Sequence, residues 1–137
     1  RIAMAFVLRV KGEIYLKDGK PNEASDCLRD GIELDPYLLN NWYNWDLYGR
    51  ALYESEKWEE AAVCYEKCAN LKPEGKSWYL YRRARCLEYL GKLDEGISCI
   101  SAAIAENPKQ NLHLYSWPPA LRDLRGAVFC MCLKPFF

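Results

Sequence analysis

Apolar and polar positions alternate along this chain with a helical period, and the pattern recurs. The clearest stretch runs from Trp45 to Pro73 and reads as two four-turn helices joined by a tight turn at Ser55-Glu56-Lys57. Gly49 and Ala51 are small residues in the first of these helices; Ala61 and Cys68 are small on the second, with Tyr65 between them on the same stripe. Small residues allow two helices to approach closely, and the large ones fill the space between them.

The same pattern precedes and follows this stretch. Ile2 to Asp18 carries Ala5, Leu8, Gly12, Tyr15 and Leu16 on one side, and Gly19 is a helix stop. Pro21 suits the first turn of the next helix, Asn22 to Leu34, whose Ala24, Leu28, Gly31 and Ile32 face inward and which Asp35-Pro36 ends. A third hairpin is expected from Ser77 to Pro108. Its first helix carries Leu80, Ala84, Leu87 and Tyr89, with Gly91 as stop; its second carries Gly96, Ile100, Ala103 and Ile104. Three sets of markers share one spacing: Gly12, Gly49 and Ala84; Ala24, Ala61 and Gly96; Pro36, Pro73 and Pro108 are each 37 and then 35 residues apart. No run alternates with period two for more than a few residues, so no strand competes. The reading is an all-α right-handed solenoid with units at about 5–38, 42–75 and 77–110 inside a 1–110 domain. Residues 111–137 are read as an irregular segment followed by a helix, Ala120 to Leu133, that caps the last unit through Leu121, Leu124, Val128, Phe129 and Cys132; a fourth unit is the competing reading.

Composition narrows the function. Half of the 137 residues are apolar, which argues against disorder, and 19 basic residues balance 19 acidic ones, so no net charge draws the chain to nucleic acid or an anionic membrane. No apolar run approaches the ~20 residues of a membrane span. No signal peptide is visible, and a start at Arg1 inside a helical pattern reads as a segment of something longer in an intracellular, cytoplasmic setting. The seven cysteines are Cys27, Cys64, Cys68, Cys86, Cys99, Cys130 and Cys132. They read as reduced core thiols rather than as a disulfide framework, since Cys27, Cys64 and Cys99 recur at one place in the period. Cys64 and Cys68 share a helical face, but the sole histidine, His113, lies elsewhere, and no metal or other cofactor is expected. Catalysis is not expected either: no glycine-rich phosphate loop or nucleophile motif is present, and the carboxylate pairs Glu59-Glu60 and Asp94-Glu95 open helices, where they suit the helix dipole.

The units resemble tetratricopeptide repeats, a 34-residue helix-turn-helix family with the pattern W-x2-L-G-x2-Y, then A-x3-F, A and P. Trp45, Gly49, Ala61, Tyr65 and Pro73 match in the middle unit, while Tyr48, Leu52 and Cys68 replace the usual Leu, Tyr and small residue. The resemblance implies a protein-interaction scaffold or adaptor whose first helices line a concave groove. The implied groove positions are Phe6, Arg9, Glu13, Leu16 and Lys17; Tyr43, Asp46, Arg50, Tyr53 and Glu54; and Trp78, Tyr81, Arg85, Glu88 and Tyr89, with Arg82 beside them. The expected partner-binding residues are Arg9, Tyr43, Arg50, Tyr53, Trp78, Tyr81, Arg82 and Arg85, a surface suited to a protein or peptide, an acidic one included. The family's carboxylate clamp for Hsp70 or Hsp90 tails maps to Arg9, Glu13, Leu47, Trp78 and Arg82; Glu13 would repel a carboxylate and Leu47 cannot donate, so those tails are not expected partners. The alternatives are a structural subunit that uses convex or end surfaces and an RNA-binding repeat similar to pentatricopeptide proteins, against which the zero net charge speaks.

Overall fold

The computed structural model describes residues 2–35, 37 and 41–107. Pro36, Pro108, His113, Cys130, Cys132 and the expected capping helix lie outside the described residues. Among the described residues there are six α-helices: α1 (Ile2–Lys17), α2 (Pro21–Leu34), α3 (Trp42–Glu54), α4 (Trp58–Leu71), α5 (Lys76–Tyr89) and α6 (Leu93–Glu106). A 3-10 turn, Pro73–Gly75, leads into α5, and no strand occurs among the described residues. Each helix packs on the next one in the chain, and α1 also touches α3.

The three hairpin turns are copies of one another. Gly19 and Gly91 have φ of 74° and 78°, the left-handed conformation that ends a helix, and Glu56 takes φ 62° at the corresponding place. In each turn the following lysine amide reaches back to close it: Lys20 to the Tyr15 carbonyl, Lys57 to Leu52 and Lys92 to Leu87, each at 2.9 Å. A β-carbon is tolerated at Glu56 only with strain.

Inside each hairpin a small residue faces a large one. A β-carbon on Gly12 would stand 2.6 Å from Leu28 Cγ, and one on Gly49 would stand 3.1 Å from Cys64 Cβ and 3.3 Å from the Tyr65 ring. Leu28, Tyr65 and Ile100, which follow the same spacing, are all essentially inaccessible. Buried clusters bridge one hairpin to the next: Ala24, Leu28, Leu47 and Ala51 join α2 to α3, while Tyr65, Ala69, Tyr79 and Cys86 join α4 to α5. Cys27, Cys64, Cys68, Cys86 and Cys99 are free thiols, all but Cys27 buried.

Candidate functional site

Some of the expected groove residues meet where α1 and α3 run side by side. Between α1 and α3 lies a cleft of about 150 Å³ lined by Glu13, Leu16, Lys17, Tyr43, Leu47, Arg50 and Glu54. Helical spacing of three and four residues places these side chains on one face of each helix.

The arginines differ in what they touch. Arg9 donates to Glu13 at 2.8 Å and lies 4.9 Å from the Phe6 ring centroid and 5.6 Å from that of Tyr43. Arg82 is held by aromatic groups: it donates to the Tyr65 hydroxyl at 3.2 Å, and its guanidinium lies 4.4 Å from the Tyr53 centroid and 5.8 Å from that of Trp78. Arg85 donates to the Tyr89 hydroxyl at 3.4 Å. Arg50 is the most open of the four. Its side chain is 49% exposed, with Asp46 at 4.0 Å, a separation at which water screens most of the attraction.

Asp46 is half-buried below Arg50. Burial pushes its carboxyl above the usual carboxylate range, against the pull of Arg50, Arg82 and Lys72 and of a hydrogen bond from Tyr79. The aromatic residues divide similarly. Trp78 is exposed, and Tyr43 and Tyr53 are half-buried, Tyr43 on the wall of the cleft. Tyr81, expected in the groove, is only 5% exposed and packs with Ala84, Leu87 and Ile100 in the third hairpin's core. Its ring is large enough to fill the space between α5 and α6, a choice that spacing alone does not reveal. Trp58 was not singled out by sequence. It opens α4, stacks on Tyr89 with ring centroids 4.1 Å apart and meets Tyr53 edge-on at 5.0 Å, so it ties the second hairpin to the third beside the groove. An aromatic residue just past a hairpin turn was the available signal.

The tetratricopeptide repeat pattern matches residues 10–37 and 79–110, the first and third hairpins. The chain carries tetratricopeptide repeats at these two stretches. Among curated relatives, the tetratricopeptide repeat-containing protein trd-1 of Caenorhabditis elegans is 35% identical over 66 residues, which cover 48% of this chain and 8% of that protein. The chain spans about a tenth of the length of the curated relatives it matches. Among solved structures, MamA aligns with a TM-score of 0.71 at 19% identity, covering 95% of this chain and 77% of that one. The first tetratricopeptide repeat domain of Spaghetti (RPAP3), bound to the HSP90 peptide SRMEEVD, aligns with a TM-score of 0.69 at 24% identity over 93% of this chain and 95% of that one. Likeness at these identities establishes the fold, a helical solenoid of tetratricopeptide hairpins. Among the described residues, no helix is long and apolar enough to cross a membrane.

Proposed function

We propose that this tetratricopeptide chain is a protein-interaction module and that the groove of α1, α3 and α5 takes an extended acidic segment of a partner protein. The observation that carries the reading is Arg50, the open guanidinium above a cleft whose apolar wall is Leu16, Tyr43 and Leu47. Such a site offers a partner carboxylate a charge-assisted hydrogen bond and gives its neighbouring side chain an apolar seat. Arg85 sits at the corresponding place on α5 and supplies a second positive charge along the groove. The acidic peptide held by the Spaghetti domain supports the chemistry, not the identity of the partner. Here Arg9 is engaged by Glu13, Leu47 is buried and Arg82 is held by Tyr65, so the clamp positions present no free row of donors to a chaperone tail.

The test is affinity capture with the 137-residue chain and with its Arg50→Glu, Arg85→Glu variant, with circular dichroism confirming that the variant is folded. The double reversal is expected to lose the partner, and ~0.5 M salt is expected to weaken capture by the parent chain. Capture unaffected by both would overturn the groove assignment. The peptide SRMEEVD, titrated in parallel, is expected not to bind.

A further inference from the structure

α1 is apolar on two sides. Ala5, Leu8 and Gly12 turn toward α2. The other side presents Val7, Val10 and Ile14 around a shallow depression of about 320 Å³, completed by Phe6 and Lys11. A helix that is apolar all round is ordinarily covered all round. The chain's own period shows what covers this side elsewhere. Val7 corresponds to Asn44 and Tyr79, and Ile14 to Ala51 and Cys86. Val7 is 54% exposed, against 1% for Asn44 and 4% for Tyr79; Ile14 is 55% exposed, whereas Ala51 and Cys86 are fully buried. The cover is in each case the second helix of the preceding hairpin, α2 on α3 and α4 on α5. Lys11 adds a charge to the pattern. It corresponds to Tyr48 in α3 and to Arg83 in α5, and at the second of these interfaces the Arg83 guanidinium lies 4.0 Å from Glu66 of α4.

We infer that this side of α1 receives the second helix of a further helical hairpin, one that presents small and aliphatic side chains to Val7 and Ile14 and a carboxylate to Lys11. The surface continues, in register, an interface the molecule already uses twice, and it fits a helix of the α4 type with a carboxylate at the Glu66 position. The inference does not involve Arg50 or the groove.

The test supplies the missing helix. Residues 57–75, which hold α4 and the 3-10 turn, are joined directly ahead of Met4, so that Met4 takes the place of Lys76. The fusion is expected to melt about 4 °C or more above the parent and to slow amide exchange across Val7 to Ile14. Lys11→Glu is expected to reduce the gain. Val7→Lys with Ile14→Lys is expected to abolish it, while the same pair in the unfused chain leaves the melting temperature within about 2 °C. A fusion that melts with the parent would overturn the inference. So would an unfused chain that sediments as a dimer and is dissociated by Val7→Lys with Ile14→Lys, which would assign the surface to a second copy.

Discussion

At the scale of single residues, the thiols make the sharpest prediction. Cys64 and Cys86 are buried between helices, and burial pushes each thiol up to about 12. An unfolded cysteine titrates near 8.5. Above that pH the unfolded chain releases protons that the folded chain retains, so unfolding becomes progressively more favourable. The stabilising contribution is complete below about 8.5 and is lost as pH rises toward 12, at about 1.4 kcal/mol per pH unit for each thiol. Urea midpoints measured at pH 8, 9 and 10 should fall accordingly, and Cys64→Ala should remove one thiol's share of the slope. Cys27, the one partly exposed cysteine among those described, should react first with a thiol reagent in the folded protein.

At the scale of helices and turns, the copies expose the exceptions. Glu56 holds a left-handed conformation that glycine holds in the other two turns. Glu56→Gly removes that strain but loosens the unfolded chain, and a net gain of about 0.5–1 kcal/mol is expected in chemical denaturation. Asn44 is a second exception. It is fully buried at the start of α3, and neither its amide nitrogen nor its carbonyl oxygen has a hydrogen-bond partner. The corresponding residue in α5 is Tyr79, whose hydroxyl is bonded to Asp46. Asn44→Leu fills a similar volume without stranding polar atoms, so the same denaturation experiment should report about 1–3 kcal/mol of added stability. A loss would mean that the amide is satisfied by water.

At the scale of the whole molecule, stability is a chain of neighbour contacts, since each hairpin covers the next. The middle hairpin belongs to two interfaces, so damage there should spread. Ala61, with no accessible surface, faces the tight α3–α4 contact. Ala61→Trp overfills it, which costs ~1–3 kcal/mol or more. Thermal unfolding should shift down and broaden as the three hairpins uncouple, and amide protection should fall in α2 and α5 as well as in α3 and α4. Undiminished thermal stability would contradict the register of Gly49 against Tyr65.

The sequence by itself determined the six helices, their turns and their pairing. Those features rest on local rules: helical periodicity, glycine at a left-handed turn, and small residues placed opposite large ones at a spacing repeated three times. It also brought Arg50 and Arg85 to equivalent places, because a fixed period on like helices returns a side chain to the same face. Tertiary packing alone decided which groove residues stay open. Tyr81 turned to the core, Arg82 was drawn onto Tyr53 and Tyr65, and Trp58 joined Tyr89 across two hairpins. Aromatic rings and guanidinium groups are long and equally at home on a wall or in a gap, so their direction depends on neighbours far away in sequence. The same holds for α1: its second apolar side is plain in the residues, but only the packed helices show what kind of surface covers that side in its counterparts.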